Sequence, residues 1–218
     1  MKTRNVVTII LIVVLAYLLL RNGIGTRRIE PVDYPQSLDR VAAVINGDKL
    51  TLRDLAFYVA YEESQVQEKA VVYDKEHPEK YWNMHLQNGF TRVLARNAAM
   101  QMALHDMLFY QMAQEEGITL TAEEQHQKEE AFADFWEDLS ERDGQKKLGV
   151  SKEELEETVE KITYAQKYQA IYAELHNKEY KNYDFTAKTY KKLLEKQDYK
   201  IYEKVWSGVS FGSVTLPY

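Results

Sequence analysis

Two helix-capping boxes divide the second half of the chain. Thr121 lies three residues before Glu124, and Ser151 lies three residues before Glu154. In such a box the hydroxyl accepts a hydrogen bond from a backbone N–H of the first turn, and the glutamate accepts one from the capping residue. Each box precedes apolar residues that recur at helical spacing. The sequence therefore predicts that two helices begin immediately after Thr121 and Ser151.

Helical periodicity also extends over most of the remaining chain beyond residue 52. It predicts a helix over residues 52 to 67, a long helix over about residues 79 to 116 with a bend at Gly89, and a last helix over about residues 185 to 204. Each apolar stripe is wide enough to bury one face of its helix against neighbouring elements. The predicted fold class is therefore mainly α, a domain of about five helices.

A small β-hairpin is predicted before the first helix. Residues 41 to 45 (VAAVI) form a short β-type run, and Asn46-Gly47 follows. This dipeptide tolerates the positive φ angles of a tight hairpin turn, so we expect a return strand after it. Thr51 with Asp54 then has the pattern of a helix cap, because a helix dipole favours a carboxylate in the first turn.

The N-terminus carries an apolar run typical of a membrane segment. Residues 6 to 20 contain only two polar side chains and follow a basic start. The run is longer than the core of many cleavable signals but shorter than the roughly 20 residues of a full span. Arg4 and Arg21 flank it and extend its reach by snorkelling. Residues 1 to 21 are therefore predicted as one N-terminal transmembrane helix, an uncleaved anchor, with a cleaved signal segment as the alternative.

Residues 22 to 40 are predicted as a linker between the membrane and the domain. They contain Gly23, Gly25, Pro31 and Pro35 and have no apolar period. The helical domain is then predicted over residues 41 to 218.

Charge excludes one class of partner but does not orient the chain. Residues 1 to 28 contain five bases and no acid, whereas residues 29 to 218 contain 23 bases and 34 acids. Such an acidic body repels phosphate backbones, so no nucleic acid partner is predicted. Bases on the two sides of the apolar run are nearly balanced, so the positive-inside rule leaves the orientation open.

No recognisable catalytic site emerges from the residue pattern. Residues 208 to 212 match G-x-S-x-G, but only six residues follow Gly212, and none is Asp, Glu or His. His105 and Asp106 have the chemistry of a base and its orienting acid, but adjacent residues on a helix are expected to point apart. The chain has no cysteine and no glycine-rich phosphate loop. We therefore predict no cofactor, no metal site and no small-molecule substrate. The lack of recognisable catalytic motifs favours a binding protein.

Methionines are concentrated in the long predicted helix. Apart from Met1, all of them lie within residues 84 to 112. Flexible thioethers suit irregular apolar grooves that accept many partners, although methionine also fills an ordinary helical core. The hypothesis is a peptide-binding surface on this helix, which consists of Trp82, Phe90, Met100, Met102, Met107, Phe109 and Met112.

Three stretches, in order along the chain, resemble the N-terminal chaperone domain of SurA/PrsA-type foldases. Residues 41 to 51 (VAAVINGDKLT) match its opening strand, Asn-Gly turn and helix-capping Thr. Residues 108 to 124 resemble its long helix, which ends in Gly-Ile and restarts at an acidic capping box. Residues 148 to 155 (LGVSKEEL) resemble the start of its next helix.

The resemblance implies an extracytoplasmic bacterial chaperone module that binds unfolded or newly exported polypeptides without nucleotide. It implies that the chain crosses the cell membrane once, with the N-terminus in the cytoplasm and the domain on the extracytoplasmic side. Family members often carry a parvulin-type prolyl isomerase domain of about 90 residues. Here only a few residues separate the helix ending near His176 from the one beginning near Phe185, so that domain is absent and no enzyme activity is predicted.

Two alternatives to a chaperone remain open from the sequence. One is a relative of peptidyl-prolyl isomerases with residual or lost activity. The other is a dedicated subunit of a membrane complex, in which the acidic body docks onto one partner.

The chain also departs from the family in its membrane anchor. PrsA-like members are lipid-anchored through cysteine, whereas this chain would depend on the apolar run of residues 6 to 20.

Overall fold

A computed structural model describes residues 30 to 217 of the chain. The predicted membrane segment, residues 1 to 21, and most of the first half of the predicted linker lie outside the described residues. No helix within residues 30 to 217 combines the length and the apolar character that a membrane crossing requires.

Helices dominate the described residues, which confirms the predicted mainly α class. Eight α-helices are found there: α1 (Ala56–Tyr73), α2 (Glu79–Trp82), α3 (Thr91–Glu115), α4 (Ala122–Glu141), α5 (Gly144–Leu148), α6 (Lys152–Leu175), α7 (Lys188–Leu194) and α8 (Glu203–Trp206). Five strands accompany them: β1 (Val41–Ile45), β2 (Asp48–Thr51), β3 (His85–Leu86), β4 (Gly89–Phe90) and β5 (Tyr199–Ile201). A 3-10 helix, Tyr180–Tyr183, lies between α6 and α7.

Both predicted capping boxes are formed. The Thr121 and Ser151 side chains accept hydrogen bonds from the backbone N–H groups of Glu124 and Glu154. In return, each glutamate accepts a bond of 2.7 Å from the backbone N–H of its capping residue. Helices α4 and α6 therefore begin where the sequence predicted, because a capping box is a local interaction that needs no tertiary partner.

The β1–β2 hairpin is also formed as predicted, but the helix after it begins later. Thr51 belongs to β2, and its N–H and hydroxyl both donate to Asp54 Oδ2, at 2.8 and 2.6 Å. This pair closes the turn that leads to α1, and α1 itself begins at Ala56 without a side-chain cap.

The prediction of one continuous helix over residues 79 to 116 was wrong. The short helix α2 ends at Trp82, and the β3–β4 hairpin separates it from α3. Gly89 has a φ of +142°, a conformation that side-chain-bearing residues rarely adopt, and Thr91 N–H donates to the Met84 carbonyl at 2.9 Å. The chain therefore turns back on itself at the hairpin, where the sequence suggested only a bend.

The prediction of a last helix over residues 185 to 204 was also wrong. Helix α7 ends at Leu194, and the chain continues into β5, which pairs antiparallel with β1 in the register Ala43–Ile201. The three-stranded sheet has the order β2-β1-β5. This pairing satisfies the second edge of the buried strand β1, a long-range requirement that outweighs local helical periodicity.

The predicted linker was too long at its C-terminal end. Tyr34 is only 4 % exposed, and its hydroxyl donates to the Leu52 carbonyl at 2.6 Å. Leu38 is also buried, and Val32 N–H donates to the Gly208 carbonyl. Residues 31 to 40 therefore belong to the same compact unit as the helices that follow them.

Helix α3 is the centre of the fold and packs mainly against α6 and α1. Its residues Leu104, Leu108 and Phe109 are almost completely buried. Phe109 contacts Tyr183 and Tyr190 with ring centroids 6.3 Å apart in both pairs. The region between the end of α6 and α7 is therefore fastened to the central helix through aromatic contacts.

The last residues of the chain have no regular structure, yet they are part of the core. Glu63 on α1 is completely buried, and its carboxylate accepts five hydrogen bonds from this C-terminal segment. Oε1 accepts from the backbone N–H groups of Gly212, Ser213 and Val214, at 2.6, 3.1 and 3.0 Å. Oε2 accepts from the N–H and the hydroxyl of Thr215, both at 2.6 Å. Burial raises the pKa of Glu63, and these bonds oppose that rise.

The G-x-S-x-G match has a structural explanation at its last glycine. Gly212 has a φ of +91°, and a Cβ at this position would lie 2.7 Å from Cδ2 of the Trp82 indole. The indole is itself fixed by a hydrogen bond of 3.0 Å from its Nε1 to Gln67 Oε1. Gly212 therefore allows the backbone to lie against Trp82 while its N–H reaches Glu63.

Replacing Glu63 tests the attachment of the C-terminal segment. In Glu63→Gln, an amide NH₂ must face buried N–H donors, so we expect a loss of about 3 kcal/mol in the free energy of unfolding. Urea denaturation followed by tryptophan fluorescence measures it. Glu68→Gln, at an exposed position of the same helix, is the control and should change stability by less than about 0.5 kcal/mol. Equal losses in both variants would contradict the assignment.

Replacing Gly212 tests its contact with Trp82. Gly47 is a matched control, because its φ of +92° is nearly the same but its Cβ would meet nothing within 4 Å. We expect Gly47→Ala to cost about 1 kcal/mol of unfolding free energy, from backbone strain alone. Gly212→Ala should cost about 2–4 kcal/mol, because overpacking against the indole adds to the strain. Similar costs at the two positions, measured by urea denaturation, would show that the indole contact is unimportant.

Glu62 gives the fold a testable pH dependence. Burial raises its pKa from 4.5 to about 7, and Lys69 partly offsets the rise. Because the pKa is higher in the folded state, ionisation of Glu62 removes stability as the pH increases from about 4.5 through 7. We expect Glu62→Gln to raise the melting temperature at pH 8 and to leave it almost unchanged at pH 4, as measured by circular dichroism. An equal change at both pH values would contradict this.

Candidate functional site

The seven residues predicted for peptide binding do not form one accessible surface. Trp82, Met100 and Phe109 are 2, 2 and 0 % exposed, and they are core residues covered by the domain's own elements. The prediction that these three residues bind a peptide was wrong, because a side chain buried in the folded domain does not contact a partner. The structure places them on the stripe of α2 and α3 that forms the core.

The other four predicted residues lie nearer the surface. Phe90 is 50 % exposed on the β3–β4 hairpin. Met102, Met107 and Met112 are half-buried and pack against the core. Within residues 30 to 217, the domain has two large open clefts, and of the seven residues only Met102 lines one of them. The methionine pattern therefore indicated core packing more than a binding surface.

An open cleft of about 520 Å³ lies between α1, α4 and α6. We call it the apolar cleft, and its main apolar wall residues are Phe57, Tyr61, Phe132, Phe135, Val159 and Ile162. Phe57 is at its centre, because its ring lies 4.7 Å from the Phe135 ring and stacks on Tyr61 at 5.9 Å. Spacings of three and four residues place these side chains on one face of each helix.

Charged groups at the apolar cleft are largely paired with each other. Lys167 Nζ lies 2.7 Å from Glu124 Oε2, and this ion pair, with the Thr121 N–H, lowers the pKa of Glu124 to about 2. The Lys128 side chain is 6 % exposed, and its Nζ lies 3.7 Å from Glu156 and 3.8 Å from Glu160. The cleft therefore presents an apolar surface with a neutralised rim.

A second open cleft of about 470 Å³ adjoins the first. We call it the carboxylate cleft, because both Asp106 and Asp184 line it. The two clefts have five wall residues in common: Phe57, Tyr61, Ile162, Gln166 and Tyr180. They therefore form one continuous groove, and we refer to the two together as the groove.

Asp106 is held in place by two neighbours. His105 Nδ1 lies 2.7 Å from Asp106 Oδ1, and the Tyr58 hydroxyl donates to Oδ2 at 3.1 Å. The prediction that His105 and Asp106 point apart was wrong, because the Tyr183 carbonyl, 2.9 Å from Nε2, orients the ring so that Nδ1 faces the carboxylate. Both ring nitrogens lie within hydrogen-bond distance of an oxygen atom, so the ring is fixed from both sides.

Asp184 lies at the other side of the carboxylate cleft with one hydrogen-bond donor. Gln169 Nε2 donates to its Oδ1 at 3.2 Å. Burial raises the pKa of Tyr180, and the charges of Asp106 and Asp184 raise it further. Both carboxylates therefore act on the same region of the cleft, which the Tyr180 ring lines.

Sequence reasoning overlooked the groove, although one signal was present. Phe57, Tyr58 and Tyr61 place three aromatic residues within five positions of α1, and Phe132 and Phe135 belong to the apolar face of the largely polar helix α4. What the sequence lacks is the information that these two faces meet beside Ile162 of α6. Among residues 30 to 217, no group of three or more His, Cys, Asp or Glu side chains is arranged to hold a metal ion.

Comparisons with known proteins give no further identification. No protein-family model matches the chain, and neither a curated protein nor a solved structure matches it.

Proposed function

We propose that this protein is a membrane-anchored, chaperone-like protein whose domain binds apolar segments of unfolded or newly exported polypeptides in the groove. The observation that supports the proposal is the apolar cleft, which is open to solvent and is lined by the half-buried Phe57, Phe135 and Ile162 of three helices. The binding surface is thereby moved from the methionine-bearing helix α3 to the faces of α1, α4 and α6.

The form of the groove favours a polypeptide as the ligand. Both clefts are open to solvent and share wall residues, so one chain laid across them would contact both. The apolar cleft contains few unpaired polar groups that would orient one particular small molecule. A surface of this kind selects for apolar character more than for an individual sequence.

The expected affinity is modest, which suits a chaperone that releases its clients without nucleotide. Burying one large apolar side chain contributes about 1.5–3 kcal/mol. Two or three such contacts are opposed by the loss of freedom of the bound segment and its side chains. The resulting binding is weak and transient, so clients exchange rapidly.

The remainder of the proposal is carried by the sequence. Residues 6 to 20 supply the apolar run of a single-pass anchor. The resemblance to SurA/PrsA-type chaperone domains favours the extracytoplasmic side and polypeptide clients. No catalytic step belongs to the proposal.

An aggregation assay with the full chain in lipid nanodiscs tests the proposal. The chain at several-fold excess should slow the aggregation of a chemically unfolded client protein, whereas empty nanodiscs should not. Phe135→Ser should weaken this protection about tenfold, because it removes a central aromatic wall of the apolar cleft.

Phe90→Ser is the matched control, since Phe90 is exposed but lies outside the residues that line the groove. It should protect the client as well as the unchanged chain does. Circular dichroism must show that both variants remain folded. Absence of protection by the unchanged chain, or an equal loss in both variants, would refute the proposal.

A further inference from the structure

We propose that the carboxylate cleft receives the cationic side chain of an arginine or lysine from the bound polypeptide. The clients would then be segments in which a basic residue stands beside an apolar run. This inference rests on the proposed function, because it names the client class of the same groove.

Charge is the first argument. The carboxylates that line the carboxylate cleft are those of Asp106 and Asp184, and no Lys or Arg is among its described lining residues. Its other titratable wall residues are His105 and the tyrosines Tyr58, Tyr61 and Tyr180. The two ring nitrogens of His105 face Asp106 and the Tyr183 carbonyl, so the ring is already engaged by these two groups. Asp184 has a neutral donor, Gln169, and keeps its negative charge available.

The aromatic walls are the second argument. Tyr180 is 45 % exposed and lines the cleft together with Phe57, Tyr61 and Phe185. Aromatic faces attract organic cations, and guanidinium groups in particular stack on them. A cleft that combines aromatic walls with carboxylates suits a guanidinium or ammonium group better than a neutral polar group.

Continuity with the apolar cleft is the third argument. Because Phe57, Tyr61 and Tyr180 belong to both clefts, a chain whose apolar side chains occupy one directs its neighbouring residues into the other. Residues 29 to 218 also carry 34 acids against 23 bases, and this excess attracts cationic segments over longer distances.

Two peptides that differ in one group test the inference. Both contain the same apolar run, followed by arginine in one and by its uncharged analogue citrulline in the other. Binding to the full chain in nanodiscs is measured by fluorescence anisotropy. We expect the arginine peptide to bind about tenfold more tightly, with a preference that declines as salt is raised from 50 to 300 mM.

Asp184→Asn should abolish most of that preference and leave the citrulline peptide unaffected. The substitution keeps an oxygen for Gln169, so the local structure should be retained. Tyr180→Leu keeps the apolar bulk but removes the ring, and it should also reduce the preference. Glu137→Gln, an exposed position outside the groove, is the control and should change neither affinity.

The possible failures are distinguishable. If both peptides bind equally well, the inference is overturned and the proposed function stands. If neither peptide binds, both are overturned. Arginine amide alone should bind at least about a hundredfold more weakly than the arginine peptide, and comparable binding would show that the cleft takes a free organic cation, which would also overturn the inference.

Discussion

The buried carboxylate of Glu63 is the interaction on which the arrangement of α1 depends. Five hydrogen bonds from Gly212 to Thr215 converge on this one side chain, so the irregular C-terminal segment is tied to the middle of the helix. A buried carboxylate without donors would be strongly destabilising, and a loop with so many unpaired N–H groups would be equally costly. Each therefore requires the other. Because α1 also carries Phe57 and Tyr61, the attachment that holds its buried face also fixes the helix whose other side chains line the groove.

The two ends of the domain are also joined by hydrogen bonds between residues far apart in the chain. Strand β5 pairs with β1, and Gly208 accepts a hydrogen bond from Val32 N–H, so residues near the end of the chain complete elements near its beginning. The segment between α6 and α7 is held by contacts of the Tyr183 carbonyl with His105 and of the Tyr183 ring with Phe109. The neighbouring Tyr180 remains half-exposed at the groove. One short 3-10 helix thus carries an accessible tyrosine at its start and a buried one at its end.

Local interactions were predictable from the sequence, whereas those between distant residues were not. Neighbours a few residues apart form the capping boxes at Thr121 and Ser151 and the Asn46-Gly47 turn. Their patterns can therefore be recognised in the sequence alone. The β3–β4 hairpin at Gly89 is a local exception, because it pairs neighbouring residues and was still not predicted. The change from helix to strand at β5, in contrast, depends on pairing with the distant strand β1. Glu63 and Gly212 lie far apart in the chain, and nothing in the sequence of either segment indicates that they meet.

The same distinction explains why the methionine stripe was misread and the groove was overlooked. An apolar face of one helix predicts burial or binding equally well, and only the packing of α6 over α3 decides that Met100 and Phe109 belong to the core. The groove instead arises where α1, α4 and α6 meet incompletely, leaving Phe57 and Phe135 in contact with each other but still open to solvent. Aromatic rings held by one another keep their orientation without a ligand. A surface preformed in this way loses little conformational freedom on binding, which would favour the proposed binding of apolar segments.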